Sequence, residues 1–332
     1  MATYLVLTNQ LPRSAPMSNA LNSVDADCSA TDGGCDAVAL VIKPREKDLG
    51  GGTMVRRALP YHKQRMVGPF IFFDHFGPAT DGPGEGFDVR PHPHIGIATV
   101  TYLFEGAIAH KDTVGSDIVI RPGAVNLMVA GRGIVHSERT PPKERATGQS
   151  MHGLQTWVAL PKAEERCAPA FSHHPADTLP AFDLGGAQVQ LLMGEAFGRA
   201  SPVPFPWGIL YIAGEAPTGA SFTLPAAAAE ERAVYVVEGA VSIDGDRFGP
   251  GTMVVLTPGQ DAALTLEAGT RFALAGGAPM DGPRFIEWNL VASDKTEIEQ
   301  AKADWAAAPG EGWQGRFGMP AGETEFIPLP GQ

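Results

Sequence analysis

Two short stretches decide how this chain is read: RPHPHIG at residues 90–96 and IVHSERT at residues 134–140. Between them runs a stretch that alternates apolar and polar residues as a β-sheet does, GIATVTYLFEG at 96–106 followed by AIAHKDTVG at 107–115. In an extended strand, side chains two residues apart share a face and lie about 6–7 Å from one another. His92 and His94 therefore point the same way, and His136 and Glu138 repeat that geometry on a second strand. Pro91 and Pro93 remove backbone donors, which suits an edge strand near a barrel mouth. Two readings stand at this point: a cation held between two strands, or four unrelated polar residues of a β-protein.

Working outward, the next strand candidate is DIVIRPGAVNLMVAG (117–131), and HGLQTWVALP (152–161) follows. Upstream lie AVALVIKP (37–44), TMVRRALP (53–60) and GPFIFFDHFGPA (68–79), each a short β-branched or aromatic run ended by Pro or Gly. A second set opens with AQVQLLMG (187–194) and runs to FIEWNLV (285–291). The two sets share a phrase. YLFEGAIAHKD leads to RPGAV in the first, and YVVEGAVSIDG leads to FGPGTMVVL in the second. Strand, Glu-Gly turn, strand, then Pro-Gly turn and strand is a repeated β-barrel unit. SDKTEIEQAKADWAAA (293–308) changes period: Ser293 or Asp294 can cap it, and Pro309-Gly310 stops it. The expected organisation is a polar N-terminal arm at 1–36, a first barrel at 37–160 and a linker at 161–184. A second barrel at 185–292 and a C-terminal helix with its tail at 293–332 complete it.

Composition narrows the function classes. With 44% hydrophobic residues, 332 residues can bury one large or two ordinary cores. The 40 glycines and 29 prolines are scattered, as in chains of short strands and turns. A formal charge of −12 without a cluster of Lys and Arg argues against nucleic acid and against anionic membrane surfaces as partners. Three cysteines, Cys28, Cys35 and Cys167, are too few for a disulfide framework and suit a reducing cytosol. No second Cys/His pair accompanies Cys28 and Cys35 to make a zinc site. MATYLVLTNQLPRSAPM at the start has no basic leader, and no apolar run reaches the length of a membrane span. A soluble cytoplasmic protein is expected.

The glycines around the histidines carry more weight than the histidines themselves. Gly86 precedes His92 with five residues between, and Gly106 follows His94 by twelve positions. That matches the first cupin motif, G-x5-H-x-H-x3–4-E-x6-G, except that Ala98 and Thr99 occupy the two possible Glu positions. Gly131-x-Gly133-x2-His136 resembles the core of the second cupin motif, with Gly in place of Pro. Glu138 can replace the missing carboxylate. Together, GPFIFFDHFGPA, HPHIGIATVTYLFEG, AHKD, PGAVNLMVAGRGIVHSE and HGLQTWVALP resemble the signature of the pirin family, over roughly residues 40–310.

The resemblance implies an all-β fold of two tandem cupin (double-stranded β-helix, or jelly-roll) barrels with one C-terminal helix. It implies His92, His94, His136 and Glu138 as ligands of one divalent transition metal, Fe(II) first, with Mn, Ni, Cu, Co and Zn as alternatives. Four protein ligands leave room for water or substrate on such an ion. The second cupin offers no matching histidines and is expected to be metal-free. The activity implied is that of a quercetin 2,3-dioxygenase acting on a small phenolic or enol substrate, with Glu138 taking the hydroxyl proton. The alternative it implies is a non-catalytic, metal- or redox-responsive regulator that binds a protein partner. With two cupins in one chain, a monomer is expected.

Other polar and aromatic residues have two readings each. His110 orients a ligand or is a half-buried histidine bonded to a carbonyl. His152 supports the site or packs, with packing expected. Phe70, Phe72 and Phe73 are expected in the core, and Asp74 and His75 at a turn. His173 and His174 are expected in solvent, while Arg132 gates a pocket or forms a salt bridge.

Overall fold

The computed structural model describes residues 36–48 and 54–331. Cys28, Cys35 and nearly all of the expected arm at 1–36 lie outside them. The alternation read from the sequence becomes two sandwiches of a large and a small sheet, which are the tandem cupin barrels. In the first, the large sheet runs Ala170–His174, Val125–Val129, Ile97–Glu105, Gln149–Ala159, Phe70–Asp81, Met54–Leu59 and Arg45–Asp48 from edge to edge. The small sheet runs Asp88–His94, Ile134–Arg139, Ile108–Asp112 and Asp117–Ile120. The second barrel repeats this order. Its large sheet is Val38–Ile42, Met253–Leu256, Glu231–Glu238, Thr270–Gly277, Ile209–Ala216, Ala187–Ala196 and Ala181–Leu184. Its small sheet is Ala220–Leu224, Ala262–Leu266, Val241–Ile243 and Asp246–Phe248.

Two edge strands depart from the expected organisation. Val38–Ile42, expected to open the first barrel, pairs antiparallel with Met253–Leu256 of the second, Ile42 opposite Met253. Within the expected linker, Ala170–His174 returns to the first barrel, Ala170 opposite Val129. Alternation identifies a strand but not its partner, so pattern alone does not assign an edge. His173 is consequently only half exposed, with Nδ1 2.7 Å from Asn126 Oδ1. A short helix, Pro142–Thr147, also escapes the pattern, because one turn and a half is too brief for a helical period.

The two large sheets pack face to face. Phe70, Phe73, Leu154 and Val158 meet Tyr211, Tyr235, Ala273 and Ala275 in a continuous core. Phe70 lies edge-on to Tyr211 at 5.1 Å, and Phe73 meets Tyr235 at 4.8 Å. Phe72 points the other way and stacks on Trp157 at 4.0 Å inside the first barrel. One polar island interrupts this apolar seam. His75 Nδ1 is 3.0 Å from the Tyr235 hydroxyl, and His75 Nε2 is 2.8 Å from His152 Nε2. Arg271 lies 3.4 Å from His152 Nδ1 and also reaches Glu105 and Glu238.

The helix Lys295–Ala307 begins where expected: Asp294 accepts a hydrogen bond from the Thr296 amide. Ile298, Ala301 and Trp305, at helical spacing, are buried against Ile95 and Val135, the neighbours in sequence of His94 and His136. Trp305 also meets Trp313, Phe317 and Phe326 of the tail, and its indole N–H donates to Ile327 O at 3.1 Å. The sheet that carries His92, His94 and His136 is thereby covered from behind. No described helix is long and apolar enough to cross a membrane.

Two consequences can be measured. Truncating Trp305, which is 1% exposed, to Ala is expected to destabilise the protein by about 3–5 kcal/mol in urea unfolding, the usual cost of deleting a buried aromatic ring; a wild-type midpoint would refute the helix as the brace. The second concerns pH. Burial, with Arg56 and His152 beside it, pushes His75 down to about 2, and burial lowers His152 also. The unfolded chain therefore takes up protons that the folded one refuses, so stability is full above about pH 6.5 and falls as pH drops below it. Each such histidine removes up to about 1.4 kcal/mol per pH unit. Melting temperature is expected to fall between about pH 7.5 and about pH 5, and to fall less in a His75→Gln/His152→Gln variant. Equal falls in both proteins would show that the pair is not responsible.

Candidate metal centre

Strands Asp88–His94 and Ile134–Arg139 are antiparallel neighbours, with His136 opposite His92 and Ile134 opposite His94. This register, with the alternation, turns His92, His94 and His136 into the barrel and sends Ile95 and Val135 outward to the helix. Turns at the strand ends hold the register. Gly96 and Gly131 have φ of +68° and +50°, and a Cβ on either would sit 2.1 or 2.2 Å from the carbonyl oxygen of Val291 or Cys167. Only glycine fits both the backbone and the space. The Gly96 amide donates to Gly131 O at 2.9 Å and ties the two turns together.

The ligand atoms of His92, His94 and His136 lie within 4.8 Å of one another, and the residues are 6%, 1% and 1% exposed. His92 Nδ1 is 2.9 Å from Arg90 O, and His94 Nδ1 is 3.0 Å from Asn289 O. A carbonyl only accepts, so both Nδ1 atoms carry the proton and both Nε2 atoms present a lone pair inward. His94 Nε2 and His136 Nε2 are 3.1 Å apart. Burial pushes His92 down to about 4, and burial together with the neighbouring rings lowers His94 and His136 well below the ordinary value. Neutral imidazoles with converging lone pairs fit a borderline divalent cation, and among the described residues no cysteine shares the cluster.

Glu138 lies beside this trio rather than within it. Its carboxylate falls within 4.8 Å of His136 and His110, a second grouping that shares His136 with the first. Burial raises its proton affinity, against opposing contacts from His110, Gln155 and Thr101. Gln155 Nε2 donates to Glu138 Oε1 at 3.2 Å, and Gln155 Oε1 accepts from Thr101 at 2.6 Å. Trp157 stands edge-on to His94 at 5.0 Å.

His110, left open by the sequence, belongs to the site, but its partner is a carboxylate and not a carbonyl. His110 Nε2 is 2.9 Å from Asp112 Oδ2, and its Nδ1 is 3.4 Å from His136 Nδ1. Although burial pushes Asp112 upward, hydrogen bonds from His110 and Ser116 outweigh it and hold the carboxyl below its usual value. Asp112, Gln155, Thr101 and Trp157 were not singled out by sequence. The spacing of His110 and Asp112, two apart on a strand and so on one face, was the available signal. Other candidates fall elsewhere. His75 and His152 lie in the seam between the barrels, Asp74 forms a bidentate pair with Arg57, and Arg132 is exposed beside Arg166 and Arg316.

In the second barrel, the strands at the equivalent places in the small sheet carry Ala220, Leu224, Leu264 and Leu266, all buried in an apolar core. A cleft of about 530 Å³ beside Phe205, Trp207 and Glu230 lies away from the histidines.

The chain's likeness to known proteins follows the same architecture. The family model for Pirin matches residues 52–158, and that for the pirin C-terminal cupin domain matches 211–309. A pirin-like protein of Caulobacter vibrioides is 48% identical over 298 residues, covering 88% of this chain and 99% of that protein. Pirin of Rattus norvegicus is 32% identical, covering 85% of this chain and 97% of its own length. Among solved structures, a quercetin 2,3-dioxygenase from Acinetobacter baumannii superposes with a TM-score of 0.77 at 34% identity, over 88% of this chain and 96% of that one. The matched domains, the extent of the identity and the shared fold establish that this chain belongs to the pirin family.

Proposed function

We propose that the chain is a metal-dependent dioxygenase that opens flavonols such as quercetin, or a related phenolic or enol substrate. In this reading His92, His94, His136 and Glu138 hold one divalent transition metal, Fe(II) first. The observation that carries the proposal is the convergence of three neutral, buried imidazoles with Glu138 beside them. The similar A. baumannii protein, called a quercetin 2,3-dioxygenase, supports the substrate class.

When bound, the metal would supply Lewis acidity that lowers the proton affinity of a substrate hydroxyl. The chain's own groups do the rest. Carbonyls of Arg90 and Asn289 fix the tautomers of His92 and His94, so these rings need no reorganisation on loading. Glu138, whose proton affinity burial raises, receives the hydroxyl proton of the substrate if it loosens from the metal. Gln155, oriented by Thr101, aims that carboxylate. Trp157 and Phe72, stacked at 4.0 Å, form an apolar wall that keeps bulk water from the reacting centre.

A second reading, a non-catalytic metal- or redox-responsive regulator, draws on the closure of the site, whose histidines are nearly inaccessible. The helix and tail packed behind the ligand strands would carry a change of charge there to a partner protein.

Elemental analysis of the purified chain is expected to find one transition metal per molecule, lost in His92→Ala and His136→Ala. A metal-free wild type would remove the basis for both readings. Aerobic loss of flavonol absorbance by the iron-loaded chain is expected to slow by about 10²-fold or more in Glu138→Gln, the usual effect of deleting a general base. Equal rates in wild type, Glu138→Gln and His136→Ala would reject the dioxygenase. Metal-dependent capture of a protein partner with no turnover would favour the regulator instead.

A further inference from the structure

We propose that Asp112 and His110 form a positioning relay behind His136, which sets the proton on the outer nitrogen of that ring and leaves Nε2 free for the metal. The inference rests on the metal-binding reading above and concerns how one ligand of that site is prepared.

His92 and His94 are oriented by backbone carbonyls, which can only accept. His136 differs, because its outward nitrogen faces a second imidazole: its Nδ1 lies 3.4 Å from His110 Nδ1. A hydrogen bond between two such nitrogens needs one proton on one side. With that proton on His110, a neutral His136 carries its own hydrogen on Nε2, aimed at His94 Nε2 3.1 Å away, and cannot ligate. With it on His136, Nε2 keeps its lone pair, and neutral His110 must carry its hydrogen on Nε2.

The surroundings favour the second arrangement. His110 Nε2 faces Asp112 Oδ2 at 2.9 Å, an acceptor that offers no hydrogen in return when ionised. Asp112 Oδ1 accepts from the amides of Val114 and Ser116, both at 3.0 Å, which leaves Oδ2 for the ring. His110 is stacked on Phe171, with centroids 4.6 Å apart and planes 20° from parallel, so it is held in this orientation. The order Asp112, His110, His136 and metal is thus set from the carboxylate inward. Among the three clustered histidines, His136 is the one whose basicity depends on a side-chain carboxylate, so Asp112 tunes electron donation at a distance from the ion.

The test uses the full-length chain loaded with Zn(II), labelled with ¹⁵N-histidine, and read by long-range ¹H–¹⁵N correlation. His110 is expected as the Nε2–H tautomer and His136 as the Nδ1–H tautomer. Asp112→Asn and His110→Ala are expected to keep one zinc per chain but weaken it by about 10–100-fold in chelator competition. His110→Gln, whose amide oxygen can still accept from His136, is expected to recover much of that loss. Asp112→Asn should also shift the visible spectrum of the Co(II)-substituted protein, which a purely structural role would leave unchanged. A zinc-loaded wild type with the proton on His110 Nδ1 overturns the relay while leaving metal binding intact. So does an Asp112→Asn protein with wild-type affinity and an unshifted cobalt spectrum. A wild type that binds neither zinc nor cobalt overturns the relay and the metal reading together.

Discussion

The pairing of Asp88–His94 with Ile134–Arg139 is the constraint on which the rest of the site depends. A slip of one residue in either strand would turn its histidines out toward the helix and bring Ile95 or Val135 into the barrel. Three features oppose a slip. The glycine turns at Gly96 and Gly131 admit no other side chain, the Lys295–Ala307 helix covers the outward apolar residues, and Asn289 O waits at His94 Nδ1. From the tail, Glu323 accepts from Ser137 at 2.7 Å and from Arg139 at 2.6 Å, on the side chains flanking Glu138. A histidine cluster built on two strands acquires its precision from contacts made outside the barrel.

Much of this was legible in the residues. His-x-His and His-x-Glu declare a shared face because the strand period is two, and the flanking glycines set the strand lengths. The helix was readable from its cap and from the change of period at Asp294. The partner of a strand was not readable. Val38–Ile42 and Ala170–His174 have ordinary strand composition, and their destinations follow from long-range packing. The roles of Asp112 and Gln155 were hidden for a different reason. A carboxylate or an amide on a strand gives no sign of which neighbouring strand its oxygen will face; here Asp112 comes from the strand paired at His136, and Gln155 from the opposite sheet.

The second barrel shows how little of a fold is committed to chemistry. Its sheets follow the same order, yet Leu224, Leu264 and Leu266 fill the places near which the first barrel gathers imidazoles. Apolar filling stabilises a barrel, whereas each buried imidazole needs a polar partner to offset the loss of water. The two barrels share a core, with Phe70 and Phe73 packed on Tyr211 and Tyr235. Stability in one unit can thus support an arrangement in the other that would be costly alone.

The strand Val38–Ile42 has a further effect, on the order in which the molecule can be assembled. It emerges before any part of the first barrel, yet its partner Met253–Leu256 comes after nearly all of the second. Its residues must wait through synthesis as an unpaired β-segment, and the loop they finally close encloses the whole first barrel. Ile42, fully buried in the finished molecule, is part of what is left bare in the interval. The two barrels are therefore latched, not merely strung together: the earliest described strand seals the edge of the second barrel's large sheet. Cutting the chain just after the strand that ends at Ala159 would separate neither cleanly, since each half would keep an edge belonging to the other.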